Sequence, residues 1–281
     1  MTVVISSELV ISSQSQSSGG VTFNANNGIL GWINYVLPSN IQADSANALF
    51  PVTQLANPST YLYWLSLSTS MQRVIYTDNF ENLIDYVGIA GHNFGTAGIG
   101  VKIEVAHAID SSGDYDWMDV TAEVIPSDDT PMMFRFTPGH YLAVSITLFP
   151  NGVVPRMAVV YVGKLTIIER RMYVGHRIIN YNSVANVVTG RSEFGQFLGR
   201  LSLGETTTSQ IEFKNMTPQF YRSDLEPFRK AAITRPFFFA WRPSSYPHEV
   251  GYCWSMNDMN VQNTHANGFM SATLSVQGIV A

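Results

Sequence analysis

Hydrophobic and polar positions along this chain recur mostly with the period of strands. Leu83–Ala90 is a mostly apolar run containing Tyr86, Val87 and Ile89. Val101, Ile103 and Val105 then alternate with Lys102, Glu104 and Ala106, the pattern of a half-buried strand. Residues 61–68 put Tyr61, Tyr63, Leu65 and Leu67 on one parity and Leu62 and Trp64 on the other, which predicts a strand buried on both faces. Residues 73–76, 133–136, 141–148 and 159–168 supply further strands, and no stretch of this half has a convincing helical period. About eight strands with turns between them predict a sandwich or jelly roll. Short β-prone pieces at 2–5 and 9–11, a Ser/Gln/Gly-rich flexible arm at 12–20 and an apolar strand or anchor at 28–36 precede it.

Gly91, Gly95, Gly98 and Gly100 join the two central runs and predict a tight connection with positive φ angles in place of a helix. A phosphate-cradling loop needs a helix to follow it, and here a strand pattern follows, so nucleotide binding is not expected. His92 beside this connection reads as a turn residue that bonds backbone.

Residues 169–281 read as a second, β-rich domain following a first domain of 1–168. Strand patterns at 184–188, 200–203, 210–214, 250–255 and 269–280 flank one short helix. Ser223 with Glu226 three residues on forms a capping-box pattern that would open this helix, ending near Ala232, with Pro227 in its first turn. Residues 236–241, PFFFAW, are the most apolar run of the chain and predict a buried strand. The expected fold is mostly β: an N-terminal jelly-roll sandwich plus a C-terminal β-sandwich domain with one short helix.

Composition narrows the functional classes. Charged residues are 13% of the chain and apolar residues 46%, so much of the surface is expected to lie against partners. No apolar run reaches the roughly 18 residues of a membrane span, and membrane insertion is not expected. The first residues carry no basic segment followed by an apolar core, so they read as mature sequence made in a cytoplasm. Cys253 is the only cysteine and lies between Tyr252 and Trp254, which suggests burial. The net charge of −5 is uneven: residues 1–165 sum to −8 and residues 166–281 to +3. No basic, aromatic-interleaved patch stands out, which argues against nucleic acid as a partner. The asymmetry fits acidic surfaces stacking on basic ones in an assembly.

Residues 110–119 hold the best candidate for recognition. Asp110, Asp114, Asp116 and Asp119 crowd around Tyr115 and Trp117. Aromatic rings stack on sugar faces while carboxylates accept hydroxyl protons, so Asp114, Tyr115, Asp116 and Trp117 could contact a glycan, including one on a host surface. The plainer alternative is an acidic hairpin with its aromatics tucked under. On a strand, Asp114 and Asp116 would share a face about 7 Å apart, a separation compatible with paired glycosidase carboxylates. Against catalysis, the chain lacks a nucleophile elbow, a zinc-helix motif and a phosphate loop, and its six histidines are scattered. His248 and Glu249 are adjacent and would point to opposite faces of a strand. Asp44 and Asn47 fall short of the six to eight oxygens that calcium takes. No catalytic residue, cofactor or metal site is expected.

Two stretches carry a resemblance. Ala56-Asn57-Pro58-Ser59-Thr60-Tyr61-Leu62-Tyr63-Trp64, then Val74-Ile75, then Asp85-Tyr86-Val87-Gly88-Ile89-Ala90-Gly91-His92-Asn93 resemble the discoidin-like jelly-roll domains of tailed-phage tail and baseplate proteins. Gly195-Gln196-Phe197-Leu198-Gly199-Arg200, Arg235-Pro236-Phe237-Phe238-Phe239-Ala240-Trp241-Arg242-Pro243 and Tyr246-Pro247-His248-Glu249-Val250 resemble the C-terminal halves of phage tail-tip proteins. The resemblance implies a non-enzymatic structural subunit of a tail tip or baseplate, located in the virion. Its implied partners are other tail proteins and copies of itself in a ring-like homo-oligomer.

Overall fold

In the computed structural model of the chain, residues 3–7, 9, 25–172, 176–264 and 268–279 are described. The expected flexible arm at 12–20 and most of the piece at 9–11 lie outside them.

Two facing sheets form the sandwich of the first half. The outer sheet is antiparallel, in the order Ile41–Ala43, Gln72–Thr77, Ala143–Phe149, Gly100–Ile109, Tyr115–Asp119. The inner sheet runs Val3–Ile5, Met132–His140, Leu83–Ala90, Val159–Gly163, with its first pair parallel. Alternation in the outer sheet sends Val74, Tyr76, Ile103, Val105, Val144 and Ile146 inward. There they meet Val87, Ile89, Phe134 and Val162 of the inner sheet in one buried cluster. The first half is thus the jelly-roll type of sandwich that its strand pattern predicts.

A third layer covers the back of the inner sheet. It is an eight-stranded sheet in the order Thr166–Ile167, Ile29–Gly31, Phe237–Ala240, Val250–Ser255, Met270–Ile279, Phe197–Met216, Ser183–Arg191, with Asn260–Asn263 also on Met270–Ile279. Two of these strands, Ile29–Gly31 and Thr166–Ile167, come from the first half and pair with each other, so the chain leaves the sandwich through this sheet. The PFFFAW run follows from that position. Phe238 and Ala240 face the inner sheet, while Phe237 and Phe239 face the other way, onto Phe228 and Leu225 of the helical segment.

The junction between inner and broad sheets is aromatic and tight. Phe238 packs against Tyr161 and Tyr252, with ring centroids 5.4 and 4.9 Å apart. A Cβ on Gly88 would stand 2.7 Å from the Phe238 ring, so only glycine leaves room for it. The three tyrosine hydroxyls in this dry layer are satisfied: Tyr86 donates to the Ile33 carbonyl at 2.6 Å, Tyr252 to Pro58 at 2.8 Å and Tyr161 to Pro236 at 3.0 Å.

Several local expectations change. Residues 61–68 form only the two-residue strand Trp64–Leu65, paired with Arg156–Met157, and Tyr61 and Leu67 are 87% and 65% exposed. Trp64 plugs the core, its indole N–H donating to the Ser45 carbonyl, while Tyr63 and Leu65 beside it are only half-buried. The glycine-rich connection holds one helical turn, Phe94–Ala97, closed by Gly98 in the left-handed region. Asp129 accepts hydrogen bonds from the Gly95 and Thr96 amides, and the Asp128 backbone approaches Gly95 too closely for any Cβ. The longer helical segment starts at Thr217, not Ser223: the Thr217 hydroxyl accepts from the Phe220 amide, with Pro218 in the first turn. Ser223 lies inside it, on a widened turn over Tyr221–Leu225. Pro227 lacks the N–H that would reach the Ser223 carbonyl, and the wider turn just before it accommodates that loss. The two strands expected at 200–203 and 210–214 are one 20-residue strand, Phe197–Met216.

Because Phe238 is fully buried between two sheets, Phe238→Ala is expected to cost about 3–5 kcal/mol. Denaturant unfolding followed by tryptophan fluorescence would check this; a loss below about 1 kcal/mol would mean that the junction collapses to fill the cavity.

Candidate functional site

Among the described residues, the outer sheet leaves one face uncovered, and the residues that alternate outward on it form the candidate site. From the edge strand come Tyr115, Trp117 and Asp119; from its neighbour, Lys102, Glu104 and Ala106; then Ala143, Ser145 and Thr147; then Arg73, Ile75 and Thr77. Ala106, Ala143 and Ser145 are fully buried although they face away from the core. The larger side chains around them account for this. Tyr115 reaches from the edge strand to the hydroxyl of Thr77, 3.3 Å away and three strands over. Trp117 lies 5.1 Å from Tyr115, centroid to centroid, and the Arg73 guanidinium carbon is 5.8 Å from the Trp117 ring centre.

Charges on this face are paired. Lys102 Nζ sits 2.8 Å from Asp119 Oδ1 and 3.1 Å from Glu104 Oε1, and Arg73 Nε sits 3.7 Å from Glu104 Oε2. Thr147 donates its hydroxyl to Glu104, whose side chain is only 6% exposed. Arg73 Nε is buried and makes no hydrogen bond. The carboxylates of Glu104 and Asp119 hold the Lys102 ammonium above its ordinary pKa, against the opposing effect of its partial burial.

The four candidate residues divide. Tyr115 and Trp117 join the face. Asp116 is exposed on the opposite side of the strand, and Asp114 sits in the preceding turn. That turn is organised by Asp110, whose carboxylate accepts the Ser112 and Asp114 amides. Asp114 and Asp116 are therefore not a pair on one strand face, which removes the geometric basis for a glycosidase dyad. Sequence reasoning missed Arg73, Glu104, Lys102 and Thr147 as companions of the aromatics. The signal was the polar parity of the strand after the glycine connection; which strands would lie beside it was not readable.

Other candidates have structural roles. His92 Nδ1 accepts the Phe94 amide, leaving Nε2 to donate to the Thr130 carbonyl at 2.9 Å, and burial pushes its pKa down to about 4. Asp44 accepts the Arg73 amide and Asn47 the Leu49 amide. Glu249 is buried and accepts the Trp241 indole N–H. Cys253 is fully buried, and burial raises its thiol pKa well above the ordinary value. Among the described residues no group of three or more His, Cys, Asp or Glu could hold a metal ion, and no helix is long and apolar enough to cross a membrane.

A second surface is the arm formed by Ser183–Arg191 and the outer half of Phe197–Met216. These strands pair with each other, with irregularities after Asn186 and Gly190, and turn through Gly195 at a φ of 77°. Residues 197–206 extend roughly 30 Å at the strand rise. Val184, Val188, Phe194, Phe197, Leu198, Leu201 and Leu203 are all 55% or more exposed, and Val188 lies directly opposite Leu201.

No family model matches the sequence, and no curated protein is similar to it. Solved structures similar to part of the chain include carbohydrate-binding modules. Chitosan-binding module 1 of a chitosanase/glucanase from Paenibacillus sp. IK-5 is 17% identical, with a TM-score of 0.40, over 47% of this chain and 99% of its own. A pectin-binding carbohydrate-binding module is 11% identical, with a TM-score of 0.37, over 47% of this chain and 93% of its own. A Clostridium perfringens module solved with GalNAc-β-1,3-galactose is 10% identical, with a TM-score of 0.36, over 45% and 97%. None of these three is a tail protein.

Buried ionisable groups give a pH signature. Burial pushes Asp85 up to about 6, against the Leu165 amide that it accepts and the nearby Arg135 and Lys164, and pushes His176 down to about 4. His92 and His176 contribute stability that is full above their ordinary 6.5 and is lost as pH falls towards 4. Asp85 acts oppositely: the native state takes up its proton first, so stability from this group rises as pH falls from about 6 to its ordinary 3.8. Asp85→Asn keeps an acceptor for Leu165 and removes that offset. The variant is expected to melt higher than wild type above neutrality and to lose stability more steeply between pH 6.5 and 4. Parallel melting curves across that range would contradict the assignment.

Proposed function

We propose that this chain is a non-catalytic structural subunit of a protein assembly, joined to copies of itself and to other proteins through the arm. The observation that carries this is the arm's exposed apolar surface. A two-stranded ribbon wet on both faces is marginally stable alone, and seven large hydrophobic side chains along it favour a surface that is covered in use. The Ser183–Arg191 strand also ends its sheet among the described residues, leaving backbone groups that another strand could pair. An arm of this kind seated on the next copy would make a head-to-tail contact, which closes into a ring when the rotation permits. The acidic first half and basic second half favour such stacking. With the resemblance of the first half to discoidin-like domains of tail and baseplate proteins and of the second half to tail-tip proteins, the reading is a subunit of a phage tail tip or baseplate, made in the host cytoplasm and carried in the virion.

A second reading, glycan recognition by the sandwich, is favoured by Tyr115 and Trp117 lying across the outer face beside Arg73. It is compatible with the first, since an assembly subunit can present a sugar-binding face.

The arm is tested by replacing Val188 and Leu201 together with aspartate. The wild-type chain is expected to sediment as a defined oligomer and the double variant as a monomer, with the body's melting temperature within about 2 °C of wild type, since exposed positions contribute little to stability. A wild-type chain that stays monomeric at every concentration tested would overturn the self-assembly reading.

A further inference from the structure

We propose that the outward face of the five-stranded sheet binds a neutral pyranose, with Trp117 as the stacking surface, Arg73 and Asp119 as the polar contacts and Glu104 holding the Arg73 and Lys102 side chains in place beneath. The inference rests on the glycan reading above and adds the site and the ligand class. Three observations carry it. First, the buried floor of Ala106, Ala143 and Ser145 supports two half-buried rings anchored at both ends: Tyr115 by the Thr77 hydroxyl, Trp117 by the neighbouring Tyr115 ring and Arg73. A ring held this way loses little freedom when the C–H face of a sugar settles on it.

Second, the buried Nε of Arg73 has no hydrogen-bond partner, although it lies within 3.7 Å of Glu104. That atom is closed to solvent, so a sugar hydroxyl would accept from the outer guanidinium nitrogens of the 30%-exposed Arg73 side chain, beside the Trp117 ring. Asp119, 63% exposed on the same face, can accept a proton from a sugar hydroxyl. Third, the face holds two cations, Arg73 and Lys102, and two anions, Glu104 and Asp119, paired at 3.7 Å or less. Nothing is left over to draw a uronate or an amino sugar by charge, and a neutral ring meets no unpaired charge. The exposed Asp114 and Asp116 are outside the contact set.

Affinity electrophoresis of the full chain through gels containing galactan, chitosan or polygalacturonate tests this. Retardation by the neutral galactan is expected, with Trp117→Ala and Arg73→Gln each weakening it about tenfold and Trp117→Phe restoring most of the affinity. Melting curves of all three variants would be run beside it, and Arg73→Gln, at a partly exposed position, serves if Trp117→Ala does not fold. Retardation by no polysaccharide would overturn the glycan reading itself. Retardation unchanged in all three variants would overturn this site while leaving that reading in place, and retardation by polygalacturonate or chitosan alone would overturn the neutral ligand class.

Discussion

The burial of the inner sheet on both faces constrains the rest of the structure. Val87 and Ile89 face the sandwich core, while Tyr86, Gly88 and Ala90 face the broad sheet. A sheet with no wet face needs every side chain to find an apolar or hydrogen-bonded neighbour, and it reads as a nearly continuous apolar run. The close fit of Phe238 over Gly88 sets the register between layers, and the three trapped tyrosine hydroxyls each reach a backbone carbonyl. The broad sheet is completed at one edge by Ile29–Gly31 and Thr166–Ile167, so strands from both halves of the chain share this layer.

That burial also decides which surfaces remain for function. The layers lie in the order outer sheet, inner sheet, broad sheet, helical segment. Among the described residues, the outward face of the outer sheet is the one that stays open on the sandwich, and the arm grows from the opposite layer. In the functional reading offered above, these separate positions allow a subunit to be held by the arm while its outer face remains free. Assembly and recognition then need not compete for one surface.

Chemistry in this chain is spent on holding the fold. His92 fixes the turn after the central strand, Asp129 caps the one-turn helix, Asp110 shapes the acidic hairpin, and Glu249 anchors an indole. Each is a polar residue that sequence reading can single out, and each is consumed by backbone or by one neighbour. Glu104 is different: it faces outward, it is buried under longer side chains, and it stands between two cations.

Periodicity along the chain determined the strand-rich class, the sandwich of the first half and the buried PFFFAW strand, because alternation is a local property of backbone that points successive side chains to opposite faces. It also brought Tyr115 and Trp117 forward, since two aromatics among carboxylates stand out by composition alone. It could not distinguish burial on two faces from exposure, which is why residues 61–68 read as a core strand when Trp64 is the one apolar side chain fully buried there. Nor could it join 200–203 to 210–214 across Gly204, where a glycine marks an irregularity in pairing and not the end of a strand. The partners of the two aromatics were hidden for a further reason. Arg73, Lys102, Glu104 and Thr147 lie on three strands spread over 75 residues of sequence, and only strand order and register put them on one face. Tertiary structure decided that constellation, because sheet neighbours are chosen by long-range pairing that no local pattern encodes.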